Sequence, residues 1–227
     1  MSRRPTIVHR CVGCRMHLSL CICALVPRIE TRTRLLLVMH RAEWRKSTNT
    51  GQLAAACLPN SEIVIRGHEQ ARFSADGCAK RVDEMPIPAG TTAIFLYPAE
   101  DAVPLATLAP LLQEPITLVV PDGNWRQAAK VRKRVAGLGL LPCVTLPEAA
   151  PSRYRLRAEA HTHGLATLEA IARALGILEG RSVEDALLFP FRAMVERTLW
   201  ARGQLDARQV TGGVPPGAQR HDPRSGL

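Results

Sequence analysis

The feature that most constrains this fold is a series of short, solid apolar runs. RLLLVM (34–39), EIVIR (62–66), TAIFLY (92–97), ITLVV (116–120) and a last one at 143–146 have strand length but no polar alternation. A strand with one face in water alternates, whereas a strand covered on both faces does not. Between the runs, apolar residues recur every three or four positions, predicting helices over 48–57, 102–112, 124–136, 166–178 and 183–200. Leu168, Ile171, Ala172 and Leu175 mark one such stripe. The alternation predicts an α/β fold, a mostly parallel sheet with helices on both faces. Aromatics are only 4% of the chain, so aliphatic side chains must fill its core. From Gly203 the sequence turns Gly-, Pro- and Arg-rich and loses periodicity, which reads as a disordered basic tail over 203–227. The α/β body then spans 31–202, preceded by a distinct segment over 1–30.

That first segment contains CVGCRMHLSLCIC, placing Cys11, Cys14, Cys21 and Cys23 within thirteen residues. The C-x-x-C half makes a turn whose thiolates converge, and the C-x-C half returns two more. Together they complete a tetrahedral S4 shell that suits a structural Zn²⁺, a zinc knuckle with no open position for water. An iron–sulfur centre uses the same ligand set. Cys57, Cys78 and Cys143 are scattered and read as small hydrophobes. His9, Arg10, Arg15 and His17 flank the knuckle and are candidates for phosphate contact.

The net charge of +10 points to a polyanionic partner, most commonly nucleic acid. No apolar run reaches the roughly 18 residues of a membrane span, so no membrane partner is expected. The N-terminus is basic but lacks the apolar segment of a secretory signal, and the expected location is the cytoplasm. Both a monomer and a homodimer are compatible with the sequence.

In open parallel sheets, ligands bind beyond the carboxyl ends of the strands. Polar segments follow three of the runs: HRAEWRKSTNTG, YPAED and PDGNWRQAAKVRKR. A further loop, HTHGLATLEA, carries His161 and His163 and leads into the helix at 166. Neither a G-x-G-x-x-G nor a P-loop follows a strand, which disfavours nucleotide cofactors bound in those ways. Asp122 has two readings, a general base or a cap for the next helix. Trp125 is either a stacking platform or core. His40 and Glu43 could pair at a strand end, while Asn49 and Thr50 either cap a helix or offer its N–H groups to a phosphate or carboxylate; all four are candidate substrate or RNA contacts. Arg126, Lys130, Arg132, Lys133 and Arg134 have no acid among them, and Arg153, Arg155 and Arg157 alternate; both groups are candidate RNA-phosphate contacts.

The succession C-x-x-C…C-x-C, H-x-x-E…N-T, Y-P, D-G-x-W with a basic helix, and T-L-E-A resembles the DTW-domain family from about Cys11 to about Trp200. The family's D-x-T-W departs here at Asn124, which can cap a helix as threonine does. The resemblance implies a tRNA-uridine aminocarboxypropyltransferase distantly related to the SPOUT methyltransferases, with a SPOUT-like, knotted fold. It implies transfer of the 3-amino-3-carboxypropyl group of S-adenosylmethionine to N3 of a tRNA uridine, releasing methylthioadenosine. It further implies Asp122 and Trp125 as catalytic residues. A co-substrate site is expected at Leu96, Tyr97, Pro98, Pro121, Gly123, Asn124, Leu165, Thr167 and Glu169. Two alternatives stand beside it: a SPOUT-like RNA methyltransferase, and a non-catalytic zinc-containing RNA-binding protein.

Overall fold

The computed structural model describes residues 9–67, 85–148, 151–156 and 164–220. The apolar runs form strands β1 (Arg34–His40), β2 (Ser61–Arg66), β3 (Thr92–Leu96), β5 (Ile116–Asp122) and β6 (Cys143–Thr145). A two-residue strand, β4 (Val103–Pro104), begins where a continuous helix over 102–112 was expected. The helix that follows, α3, is reduced to Leu105–Leu108. Val103 and Pro104 are both exposed, so hydrophobic patterning could not mark them as a strand. Among the described residues the strands make one six-stranded sheet in the order β2-β1-β5-β3-β6-β4. All its pairings are parallel.

The sheet shows why RLLLVM is apolar throughout. Leu35, Leu37 and Met39 belong to a core with Leu53 and Ala54 of α2 (Thr50–Cys57), Leu168 and Ile171 of α6 (Thr167–Glu179), and Phe191 of α7 (Arg181–Ala201). Leu36 and Val38 face the other way, onto Phe95, Val119, Val131, Val135 and Leu138. Successive strand residues point to opposite faces, so two covered faces demand an unbroken apolar run.

The helix expected over 124–136 is two single turns, α4 (Trp125–Ala128) and α5 (Val131–Arg134). The ladder breaks at Lys130, whose N–H reaches Gln127 O in a tighter three-residue step. Ala128, Val131, Val135 and Leu138 are nevertheless all buried, as the spacing requires. The segment expected as a disordered tail differs more. Residues 203–220 are placed, with a 3₁₀ turn at Ala207–Gln209 and Val210 buried in the main core. Val214 and Ala218 pack beside it, so isolated apolar contacts anchor a stretch that has no periodicity. Among the described residues no helix is long and apolar enough to cross a membrane.

Candidate active site and metal centre

Because every strand runs the same way, the carboxyl ends gather at one edge, and a cleft of about 510 Å³ opens there. Asp122, the last residue of β5, forms part of its wall and is only 4% exposed. Its Oδ2 accepts a hydrogen bond from Asn49 Nδ2 at 2.7 Å, and its Oδ1 accepts one from Thr167 Oγ1 at 2.5 Å. Asn49 is the N-cap of α2, its Oδ1 accepting from Gln52 N at 2.8 Å. Thr167 opens α6. One carboxylate therefore meets the N-termini of two helices, where the backbone dipoles favour negative charge. Gly51 makes this approach possible, since a Cβ there would lie 2.9 Å from Leu37 Cδ2 and 3.0 Å from Asp122 Oδ2. The anion beside the start of α2 is thus the protein's own carboxylate.

The capping reading of Asp122 gives way to Asn124. Asn124 Oδ1 accepts from Gln127 N and Gln127 Oε1 accepts from Asn124 N, each at 2.9 Å. This reciprocal capping box makes Asn124 the residue that starts the helix at Trp125. His40 Nδ1 accepts from Ala42 N at 3.1 Å, which makes Gln127 Nε2, also 3.1 Å away, a second donor to it. His40 thus braces the motif loop and is not among the residues of the cleft wall. Glu43 is on that wall, buried and ion-paired to Lys46.

Trp125 lines the cleft, its ring tilted 58° to Tyr97 with centroids 6.1 Å apart. Leu96, Tyr97, Pro98, Pro121, Gly123, Asn124, Leu165 and Thr167, all expected near the co-substrate, lie on the same wall, as do Asn49 and Thr50. Burial pushes the Tyr97 phenol above its ordinary range, so its aromatic face stays uncharged at neutral pH. Glu169 is the exception. It is buried away from the wall, Oε1 accepting from Arg153 N at 2.8 Å and Oε2 from Ala166 N at 3.0 Å and from the Ser152 hydroxyl. Its role is to tie residues 151–156 to the start of α6. In that segment Arg153 and Arg155 are exposed on either side of buried Tyr154, whose hydroxyl donates to Thr48 O at 2.7 Å.

Sequence reading missed the β6 end, where Thr145 and Glu148 join the wall, and it missed Lys46 and Arg173. A signal for the first was present: Pro147 and Glu148 follow the last apolar run just as PDGNW follows ITLVV. Arg173 continues a three-residue step, Thr167–Ala170–Arg173, that faces the cleft along α6.

Arg126, Lys130, Lys133 and Arg134 are exposed and lie outside the cleft wall. Burial, with Arg134 nearby, lowers the pKa of Arg66 at the end of β2, so two cations share this side of the sheet edge. Arg132 departs from the group. Its Nη1 contacts both Asp101 oxygens at 2.8 and 2.6 Å and its Nη2 donates to Leu141 O at 3.2 Å, a structural tie. Cys78, Arg157, His161 and His163 lie outside the described residues.

In the knuckle the four cysteine sulfurs all lie within 4.8 Å of one another. Cys11 Sγ is 3.4 Å from Cys23 Sγ and 3.5 Å from Cys21 Sγ, and Cys14 and Cys21 are 3.7 Å apart. These separations are too long for disulfides, while an S4 shell with Zn–S near 2.3 Å has edges of about 3.8 Å. The donor set and spacing fit a structural zinc ion. The backbone N–H of Cys14 holds the Cys11 thiol down at about 6, whereas burial pushes Cys23 up to about 12. Arg15, expected at a phosphate, instead turns inward. It donates to Trp44 O and Gln52 Oε1 and stacks 5.5 Å from the Trp44 ring centroid. Arg197 of α7, 5% exposed, donates to Cys21 O, to Gly213 O at 2.9 Å and to Gly212 O at 3.1 Å. One guanidinium thereby joins the knuckle, α7 and the C-terminal segment.

A doubly covered parallel sheet, with the buried Asp122 carboxylate in a strand-end cleft and a four-thiol knuckle, defines an α/β protein with a preformed cleft. More particularly, the chain belongs to the DTW-domain family, whose model matches residues 8–199. It is 29% identical over 198 residues to tRNA-uridine aminocarboxypropyltransferase 2 of Mus musculus, covering 85% of this chain and 63% of that protein. The protein of the same name from Drosophila melanogaster is 26% identical, with 86% and 77% covered. The chain thus spans less than two thirds of the mouse relative. A solved structure, the SAM-dependent rRNA:acp-transferase Tsr3 from Vulcanisaeta distributa, superposes with a TM-score of 0.43 at 14% identity, covering 80% of this chain and 85% of that one.

Proposed function

We propose that this protein is a tRNA-uridine aminocarboxypropyltransferase. It moves the 3-amino-3-carboxypropyl group of S-adenosylmethionine to N3 of a tRNA uridine and releases methylthioadenosine. The observation that carries this reading is Asp122: a buried carboxylate fixed by Asn49 and Thr167 in the wall of the strand-end cleft. The names of its relatives and its place in the DTW-domain family support the reading.

The sulfonium of the co-substrate supplies an activated γ-carbon and a neutral thioether leaving group, so the protein needs neither a nucleophile nor a Lewis acid. Its tasks are to take one proton and to align two reactants. Asp122 takes the N3 proton; N3 bonds to the γ-carbon as the carbon–sulfur bond breaks and its electron pair leaves with sulfur. Asn49 donates to one carboxylate oxygen and Thr167 to the other, and together they orient the base. Trp125 and Tyr97 offer tilted aromatic faces to adenine or to the target base. Arg126, Lys130, Lys133 and Arg134, with Arg153 and Arg155, hold the tRNA backbone around the cleft. Cys11, Cys14, Cys21 and Cys23 hold the zinc ion, which when bound cross-links the knuckle and takes no part in the transfer. Free thiols in this number suit a reducing compartment, the cytoplasm.

The test is to incubate the protein with unmodified tRNA and S-adenosylmethionine, digest the RNA and weigh its nucleosides. A uridine heavier by one aminocarboxypropyl group is expected. A methylated nucleoside, or tight RNA binding with no modification, would contradict the proposal.

A further inference from the structure

Among the described residues, two cations line the cleft, Lys46 and Arg173. Arg173 reaches the cleft from α6, in line with Thr167 and Ala170. Residues three apart lie on one helix face, so these three side chains form a stripe. Its first member, Thr167, donates its hydroxyl to Asp122, which ties one end of the stripe to the proposed base. Six residues of helix rise about 9 Å, and helical side chains lean back towards the N-terminus, the end of the helix that meets Asp122. Ala170 is the small residue between them and leaves that stretch of wall open.

The group to be transferred has a matching shape. It carries a carboxylate two carbons beyond the γ-carbon that receives uridine N3. If Asp122 marks where N3 sits, the carboxylate must lie within a side chain's length of it. The planar guanidinium fork pairs with a carboxylate through two parallel hydrogen bonds, which a lysine ammonium cannot reproduce.

We infer that Arg173 anchors the carboxylate of the amino-acid end of the co-substrate, an assignment that rests on the aminocarboxypropyl-transfer reading. The subsite also bears on which carbon reacts. Methyl and aminocarboxypropyl groups hang from the same sulfur, and a fixed carboxylate turns the γ-carbon, not the methyl, towards the base.

The test is a ligand-truncation cycle on the full chain by titration calorimetry. S-adenosylhomocysteine keeps the amino acid end, and methylthioadenosine lacks it. The native protein is expected to bind the first more tightly, and Arg173→Gln to lose about 10- to 100-fold for it while holding methylthioadenosine unchanged. Arg173→Lys, which keeps the charge but not the fork, should fall between them. Unchanged methylthioadenosine affinity also shows that each variant folds. Equal weakening of both ligands, or an unaltered gap between them, overturns the assignment and leaves the transferase reading standing. Binding of neither ligand by the native protein overturns the transferase reading and the anchor with it.

Discussion

The knuckle and the cleft are both polar sites, each fastened by a charged side chain removed from water, yet they are built in opposite ways. The knuckle's four sulfurs come from thirteen consecutive residues, and its ties to the body run outward, through Arg15 to Trp44 and Gln52 and through Arg197 to Cys21 O. The cleft gathers segments more than a hundred residues apart, and its central tie runs inward, from Asn49 and Thr167 to one carboxylate. The difference teaches that the knuckle's geometry can survive local loosening of the body, while the cleft exists only if α2, β5 and α6 are docked. Stability and chemistry should therefore separate on mutation.

The largest effect is expected at the cleft. Asp122→Asn should lower kcat by about 10²- to 10⁴-fold, the range for a lost general base, measured as modified uridine per folded molecule. A variant within threefold of native would make Asp122 a helix latch alone. At the knuckle, Cys11→Ser with Cys14→Ser should reduce bound zinc from one per chain to none and lower the melting temperature. Metal analysis and calorimetry check this, and an unchanged melting temperature would show the metal to be dispensable. Arg197→Met leaves three carbonyls without their donor and should cost about 2–3 kcal/mol, or roughly 4–12 °C, with kcat unaltered. The smallest effects belong to the exposed cations. Lys130→Ala and Lys133→Ala should each weaken tRNA binding a few-fold and reduce the salt slope by about 0.7–0.9 per lost phosphate contact, with kcat unaffected. Unchanged salt dependence would remove these residues from the RNA surface.

The same contrast explains what the sequence made legible. The knuckle follows from spacing alone, because its ligands are neighbours in the chain. The principal strands follow from their unbroken apolar runs, because both sheet faces are covered. The cleft was legible only where a motif sits at a strand end, as with Asp122, Trp125, Tyr97 and Pro98. Side-chain direction was not, and this produced the corrections. His40 and Glu169 sit beside the motif residues but aim at Gln127 and at residues 151–156. Arg15 and Arg132, cations in basic runs, turn to Trp44 and to Asp101. Periodicity also has nothing to say about irregular segments, and so it missed residues 203–220, held by buried Val210 and by Arg197 on two glycine carbonyls.

The central claim is that this cleft delivers the amino-acid end of the co-substrate to RNA. Its most direct test uses S-adenosylmethionine labelled in two preparations, at the methyl carbon and at the methionine carboxyl carbon. Carboxyl label in the tRNA, with methyl label recovered in methylthioadenosine, is the predicted result. Methyl label in the tRNA, with carboxyl label left in S-adenosylhomocysteine, would contradict it.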